Sequence, residues 1–312
     1  MDCHLCKGKN LAVLADGLRN SQGRVYFCPN CELGLLETDD FDARTYYDGA
    51  YRQKFSEILE SPGSDPDFMY NYHKDFQKDR LNIVGRYFNN QHSLLEIGCS
   101  AGQFLAHLRG HFGELAGIEL DSKCVRYVRS RFDIPVHDRE LAECGIPASH
   151  FNYVAAFQVL EHTRDPVDFL RQAGTVLQDD GRLFIEVPNL YDPLLSLWDV
   201  EAYQRFYYHE AHTHYFSPKS LEITCDQAGY RIEELVFLQD YNMLNHLFWF
   251  FNNAPQGSGS FGLAPPQIPF RKDHAAAGKA VNELLRECDQ RYKQILAENG
   301  LTSNLFAILV RK

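Results

Sequence analysis

The stretch LLEIGCSAGQFL, from Leu94 to Leu105, decides the fold of this chain. It begins with apolar residues that suit a buried β-strand, turns through Gly98 and Gly102, and continues into an apolar helix. A strand, a tight glycine turn and a helix in this order form a unit that binds nucleotides at the carboxyl end of a parallel strand. The stretch therefore predicts an α/β fold with a nucleotide site at this turn.

Strands and helices alternate on both sides of this unit. Strands are predicted at residues 94–97, 115–120, 153–157, 182–187, 231–238 and 304–311. Helices are predicted at residues 68–88, 103–109, 122–131, 166–176, 217–228 and about 273–298. This alternation is typical of a parallel sheet with helices on both faces, which is a Rossmann-like core.

The pattern divides the chain into four parts. We expect a zinc ribbon at 1–40, a helical lead-in at 41–92, the core at 93–239 with 303–312, and an insertion at 240–302. The insertion either caps the site or pairs two subunits as a homodimer. In the lead-in, three tyrosines either form a lid or pack on a helix face: Tyr46, Tyr47 and Tyr51.

Two cysteine pairs near the N-terminus have the spacing of a structural zinc site. Cys3 and Cys6 form one pair and Cys28 and Cys31 the other, with 21 residues between the pairs. Four thiolates at this spacing can surround Zn²⁺ tetrahedrally and leave no open position for catalysis. His4 is an alternative ligand. The other interpretation is four free or redox-active thiols, although no thioredoxin-like unit surrounds them.

Composition and charge limit the classes of partner that this chain is expected to have. The formal charge is −11, from 31 basic and 42 acidic residues, and no basic patch is evident. Nucleic acid is therefore not expected as the main partner. No apolar run approaches the roughly 20 residues that span a membrane, and MDCHLCKGKN lacks a secretory signal pattern. We expect a cytoplasmic protein without a membrane partner.

The residues around the glycine turn indicate which nucleotide it binds. The dinucleotide pattern GxGxxG is not met, because Ser100 and Gln103 occupy its second and third glycine positions. Glu96 before the turn would repel a pyrophosphate and suits a ligand with positive charge. Glu119, at the end of the next strand, can accept hydrogen bonds from ribose hydroxyls. S-adenosylmethionine, with its sulfonium and ammonium groups, meets these requirements.

The chain resembles the class I S-adenosylmethionine-dependent methyltransferases. LEIGCSAGQFL is similar to their first motif, GIELD (117–121) to the second acidic motif, FNYVAAFQVLEH (151–162) to the fourth-strand motif and GRLFIEVPN (181–189) to the fifth. The resemblance implies a seven-stranded sheet with a helical insertion before the last strand. It implies that the following residues bind the cofactor: Glu96, Gly98, Ser100, Gly102, Phe104, Glu119, Leu120, Glu140, Leu141, Phe157, Gln158 and Glu161.

A histidine-rich segment follows the fifth strand. In YYHEAHTHYFSPKSL (207–221), His212 and His214 are two residues apart, so in extended chain their side chains face the same way. An imidazole can accept a proton at neutral pH. The catalytic candidates are His212, His214, Tyr208 and His162. The alternatives are a structural role, or a second metal bound by the three histidines with Glu210.

More narrowly, the chain resembles a zinc-ribbon subgroup that includes nucleotide-sugar C-methyltransferases. In that subgroup the last histidine of a Tyr-His-Glu-His stretch before Tyr-Phe-Ser acts as the base, which implies His212, with Ala211 as an extra residue. We therefore expect methyl transfer to a small polar substrate, most simply a saccharide. Two alternatives remain: an O-methyltransferase of another small molecule, and a non-catalytic scaffold that binds the cofactor.

Overall fold

The computed structural model describes residues 2–37, 65–257 and 259–312. The three tyrosines for which a lid or packing on a helix face was expected, Tyr46, Tyr47 and Tyr51, lie outside these residues. Seven strands form the central sheet: β4 (Asn89–Ile97), β5 (Phe112–Ile118), β6 (Val136–His137), β7 (Phe151–Phe157), β8 (Leu177–Pro188), β10 (Tyr230–Leu238) and β11 (Asn304–Arg311). Their order is β10-β11-β8-β7-β4-β5-β6.

The sheet is parallel from β8 to β6 and antiparallel where β11 pairs with β8 and β10. Leu94 and Leu95 of β4 have no exposed surface, as expected of a central strand covered on both faces. The predicted Rossmann-like α/β fold is therefore confirmed. β5 lies on one side of β4 and β7 on the other, so the order in which successive strands are added to the sheet reverses at β4. Such a switch point opens a ligand crevice at the carboxyl ends of the strands.

Helices cover the sheet and connect its strands. They are α1 (Pro66–His73), α2 (Lys78–Val84), α3 (Leu105–Leu108), α4 (Ser122–Phe132), α5 (Pro166–Val176), α6 (Pro193–Ser196), α7 (Glu201–Tyr207) and α8 (Pro218–Ala228). Side-chain caps explain where several begin. Asp121 accepts hydrogen bonds from two amides of α4, and Ser217 forms a capping box with Ser220 of α8.

A second, four-stranded sheet lies at the N-terminal ribbon. It consists of β1 (Ala12–Leu18), β2 (Ser21–Cys28), β3 (Leu33–Leu36) and β9 (His214–Tyr215). The hairpin turns at Arg19 and Asn20, and Asn20 has a positive φ of 59°. β9 comes from the segment between β8 and α8, so the ribbon sheet is completed by a strand from the core region.

The segment between β10 and β11 is helical, as predicted. It contains α9 (Met243–Asn252), α10 (Gly259–Leu263) and α11 (Ala275–Glu298). In the second half of α9, Trp249 is buried whereas Phe250 and Phe251 are exposed. None of the helices in the described part of the chain combines the length and apolar composition needed to cross a membrane.

Two predicted boundaries differ from the structure. The helical region predicted at 68–88 is broken into α1, α2 and two short 3₁₀ turns, and β4 begins at Asn89, ahead of the strand predicted at 94–97. The helix predicted at 103–109 is only the four residues of α3. In both places the chain turns sharply, at the start or at the end of the central strand. Local helix propensity does not predict such turns.

Candidate functional site

Three residues in the turn after β4 have a left-handed backbone conformation. Gly98, Ser100 and Gly102 have φ values of 77°, 50° and 75°. A Cβ on Gly98 would come 2.6 Å from Cγ2 of Val159, and a Cβ on Gly102 would come 2.9 Å from Cγ2 of Val128. The turn therefore requires glycine at both positions, for conformation and for space.

Glu119 is bound to this turn through its carboxylate. Oε2 accepts a hydrogen bond from the amide of Ser100 at 2.8 Å, and Oε1 accepts one from the amide of Asp121 at 2.8 Å. The carboxylate is thus fixed in place at the end of β5. It can still accept further hydrogen bonds, since a carboxylate has about four lone-pair sites.

Glu96 is a buried acid at the end of β4. Its side chain is 4% exposed, and Oε2 lacks a hydrogen-bond partner among the described residues. Burial raises the pKa of Glu96 to about 8; the guanidinium of Arg80 opposes this shift and the carboxylate of Glu119 adds to it. A cationic ligand next to this side chain would favour its charged form.

Arg80 of α2 forms a buried ion pair that the sequence did not reveal. Its Nε and Nη2 donate to the two oxygens of Glu186 at 2.8 and 2.6 Å. Gln158 donates to Glu186 at 2.9 Å and to Asn304 at 3.0 Å. The guanidinium also lies over the ring of Phe157, with its Cζ 4.8 Å from the ring centroid. Glu186 lies within the fifth motif, whereas nothing in the sequence marks Arg80.

The remaining residues predicted to bind the cofactor do not all lie at the turn. Phe104 packs against Phe157 with ring centroids 5.0 Å apart, close to the turn. Leu120 follows β5, while Glu140 and Leu141 follow β6, the neighbouring edge strand. Glu161, in the 3₁₀ turn after β7, contacts the histidines described next rather than the turn.

Glu161, His162 and His212 form a compact buried cluster. Oε1 of Glu161 lies 3.8 Å from Nε2 of His162 and 4.0 Å from Nε2 of His212. The imidazole of His209 lies against that of His212, with ring centroids 3.8 Å apart and the ring planes tilted by 50°. Burial raises the pKa of Glu161 to about 8, lowers that of His162 to about 4, and lowers that of His212 well below its usual value.

The expectation that His212 and His214 face the same way is wrong. The amide of His212 donates to the carbonyl of His209 at 3.2 Å, so the chain turns here and is not extended. His214 instead faces the ribbon, where its Nε2 lies 3.0 Å from Nε2 of His4. Its Nδ1 is 2.8 Å from Oγ1 of Thr213. Both ring nitrogens of His214 are therefore in hydrogen bonds within the protein.

Tyr208, the fourth catalytic candidate, is packed into the ribbon side of the segment. It is buried, and its carbonyl accepts a hydrogen bond from the amide of Arg19 at 2.7 Å. The neighbouring Tyr215 hydroxyl joins the backbone of His209, accepting from its amide at 2.9 Å and donating to its carbonyl at 3.0 Å. These contacts hold the turn that presents His212.

The four paired cysteines converge in the ribbon. The Sγ atoms lie within 4.8 Å of one another, with Cys3 to Cys31 at 3.5 Å and Cys6 to Cys28 at 3.4 Å. Burial raises the pKa of the Cys3 thiol, so a bound cation is what would keep the set deprotonated. The set fits a tetrahedral zinc ion. His4 points to His214 rather than into this set.

Comparison with known proteins agrees with the fold. Residues 46–235 match the family described as methyltransferase domain. A probable S-adenosylmethionine-dependent methyltransferase of Mycobacterium tuberculosis is 32% identical over 97 residues, which is 31% of this chain and 35% of that protein. The chain thus spans about a third of the length of this relative.

Two further proteins are similar over longer stretches. The ubiquinone biosynthesis O-methyltransferase of Glaesserella parasuis is 24% identical over 170 residues, covering 50% of this chain and 72% of that protein. A crystal structure of a SAM-dependent methyltransferase from Archaeoglobus fulgidus superimposes with a TM-score of 0.49 and 17% identity, covering 77% of this chain and 94% of that one.

Proposed function

Because the chain belongs to the methyltransferase domain family, we propose that it transfers a methyl group from S-adenosylmethionine to a small polar molecule. The observation that carries this proposal is the acidic lining of the turn after β4. Glu96 and Glu119 are 4% and 8% exposed. The guanidinium of Arg80 is paired with both oxygens of a third buried acid, Glu186. The acidic lining suits a cation and opposes a pyrophosphate.

The residues of the turn would hold the cofactor in distinct ways. Glu119 would accept hydrogen bonds from the ribose hydroxyls, and Glu96 and the backbone of Gly98 would lie at the methionine portion. Phe104 and Phe157 would exclude water from one side. When bound, S-adenosylmethionine supplies an electrophilic methyl group on a sulfonium leaving group, so the protein must align the acceptor and remove its proton.

His212 is the side chain that best suits the role of base. His214 uses both ring nitrogens within the protein, whereas Nδ1 of His212 has no hydrogen-bond partner within residues 2–37, 65–257 and 259–312. Burial keeps His212 neutral, which a proton acceptor must be. Once its carboxyl group has lost its proton, with a pKa that burial raises to about 8, Glu161 would stabilise the imidazolium from 4.0 Å away. His162 would line the acceptor side of the same cluster.

The acceptor is proposed from the character of the site. A polar pocket of imidazoles and carboxyl groups suits a hydroxylated molecule, and the resemblance to the zinc-ribbon subgroup favours a sugar carried on a nucleotide or glycan. The name of the Glaesserella parasuis relative supports the alternative, a hydroxyl group of another small molecule. The cysteine set would hold one structural zinc ion, since four thiolates complete its coordination.

Calorimetry with S-adenosylmethionine and S-adenosylhomocysteine tests the cofactor assignment. We expect micromolar binding by the wild type and at least tenfold weaker binding by Glu119→Ala, because the variant loses the acceptor for the ribose and the amide contacts of the turn. Glu114→Ala is the matched control, because Glu114 is an exposed acid near the other end of β5.

The outcome decides between the hypotheses. Loss of binding in Glu119→Ala alone justifies measuring methyl transfer to nucleotide sugars and to other hydroxylated small molecules, with His212→Gln as the test of the base. No binding by folded wild-type protein would overturn the enzyme proposal and favour a scaffold.

A further inference from the structure

The cluster of Glu161, His162 and His212 has the composition and geometry of a metal site. We propose that these three side chains bind a divalent transition-metal ion such as Zn²⁺, at a site separate from the four cysteines. Their ligand atoms all lie within 4.8 Å of one another, as do the sulfurs of the cysteine set. Two imidazoles and one carboxylate are a common ligand set for such ions.

Glu161 supplies the first argument. Its side chain is 1% exposed, and neither carboxylate oxygen makes a hydrogen bond with any residue that the structure describes. A buried carboxyl group without hydrogen bonds is costly, because water has been removed and nothing replaces it. A cation bound to these two oxygens would remove that cost.

His162 supplies the second argument, through its tautomer. Its Nδ1 lies 2.7 Å from the carbonyl oxygen of Ala211. A carbonyl can only accept, so Nδ1 carries the proton and Nε2 carries a lone pair. That Nε2 lies 3.8 Å from Oε1 of Glu161. Metal-binding histidines usually donate their other ring N–H to a carbonyl or carboxylate in this way.

His212 completes the set. Its Nε2 lies 4.0 Å from the same Oε1, and the turn from His209 holds its ring in place. Two ligand atoms that are each about 2.0–2.2 Å from an ion lie about 3–4 Å apart, depending on the angle between them. The observed separations therefore admit an ion with shifts of only a few tenths of an ångström.

The site has one consequence that rests on the proposed function. While Nε2 of His212 binds an ion, its Nδ1 carries the ring proton, so neither nitrogen can accept a proton from the acceptor. Three protein ligands also leave an open coordination position, which an oxygen of the acceptor could occupy. Added Zn²⁺ should therefore inhibit methyl transfer without weakening S-adenosylmethionine binding.

Metal stoichiometry tests the site without any activity measurement. The full-length chain is stripped of metal, loaded with Zn²⁺ and assayed by mass spectrometry of the metal and by calorimetry. We expect two ions per wild-type chain and one ion in both Glu161→Gln and His162→Gln. His246→Gln is the matched control and should keep two ions, because His246 is equally buried but lies in α9, where it contacts Tyr292.

Loading with Co²⁺ separates the two sites by their spectra. The cysteine set should give thiolate-to-metal charge-transfer bands in every variant, which also shows that each variant retains its ribbon. The second ion should add only weaker bands, absent from both Glu161→Gln and His162→Gln. One ion per wild-type chain, or two ions retained in both variants, would overturn the proposal. S-adenosylmethionine binding by the same samples tests the proposed function independently.

Discussion

Glu96 lies buried at the end of β4, where the field of Arg80 only partly offsets the cost of its charge. Its pKa is raised to about 8 because burial disfavours the carboxylate. At neutral pH the unliganded protein therefore keeps a proton on this side chain. A cationic ligand favours the carboxylate, so binding should release that proton.

The affinity for S-adenosylmethionine should consequently rise with pH. Below pH 8 the proton must leave before the ligand gains the charge interaction, which weakens binding by up to about tenfold per pH unit. Above pH 8 this dependence ends. Calorimetry between pH 6 and 8, in buffers of different ionisation enthalpy, measures both the affinity and the proton release.

Glu96→Gln is the control, since it has no proton to lose and should show a flatter pH dependence. The ligand's own ammonium group titrates equally in both proteins, so the difference between their slopes belongs to Glu96. Equal slopes in the two proteins would show that Glu96 does not contact the cation.

Substitution of Gly98 allows the destabilisation caused by backbone strain to be measured separately from that caused by a steric clash. Gly98→Ala places a Cβ 2.6 Å from Cγ2 of Val159 at a φ of 77°. Gly110→Ala has the same strain, at a φ of 81°, with no described atom within 4 Å of the new Cβ. We expect Gly110→Ala to lower the free energy of unfolding by about 1 kcal/mol, and Gly98→Ala by about 2–4 kcal/mol with loss of cofactor binding.

Denaturant unfolding and calorimetry on the two variants provide the measurement. Equal destabilisation by both substitutions would mean that Val159 moves aside and that the turn tolerates a side chain.

At the residue scale, the sequence predicted the turn well and the histidines poorly. Gly98, Glu96 and Glu119 are defined by local order along one strand-turn-helix unit and its neighbour, and the structure brings them together. The orientation of His212 depends on a bend at His209, which the hydroxyl of Tyr215 stabilises. A two-residue period assumes extended chain, so it could not anticipate that bend.

At the scale of elements, β3 and β9 connect the ribbon to the histidine segment. Leu35 pairs with His214 and Gly34 with Tyr215. A Cβ on Gly34 would lie 2.9 Å from Cβ of Tyr215, so the two strands approach too closely for a larger residue. The ribbon therefore supports the segment that presents His212, although the four cysteines proposed to bind zinc lie elsewhere in it.

Gly34→Val should loosen that segment and leave the zinc in place. Overpacking at this contact should cost about 1–3 kcal/mol of local stability, because Tyr215 must move. Hydrogen exchange of residues 206–216 should accelerate, while the zinc content stays that of the wild type, since all four cysteines are unchanged. Val13→Ala, an exposed position of β1, is the control.

Chelation of the zinc should accelerate exchange in the same residues. If neither Gly34→Val nor chelation changes exchange at 206–216, the segment holds its shape without the ribbon.

The positions of most elements followed from sequence pattern. The predicted helix at 166–176 and the last strand match α5 and β11 at both ends, because proline, caps and apolar runs mark those boundaries locally. β9 was not predicted, since a two-residue strand has too little pattern and exists only through its pairing with β3.

At the scale of the whole molecule, the predicted topology is right, but the long-range polar contacts could not be predicted from the sequence. Arg80 and Glu186 are 106 residues apart and meet because α2 packs on the central sheet, where its Ile83 and Val84 join the core. The pairing of His4 with His214 spans 210 residues. Periodicity and spacing report local structure, so contacts of this kind require the folded chain.

The strand β9 also sets an order of events during synthesis on the ribosome. The cysteine pairs and strands β1 to β3 emerge early, whereas His214 and Tyr215 emerge only after most of the central sheet has been made. Until then β3 is an uncovered edge strand, which is a template for pairing with other nascent chains. Early capture of zinc would make the hairpin compact, but the arrival of β9 is what closes it.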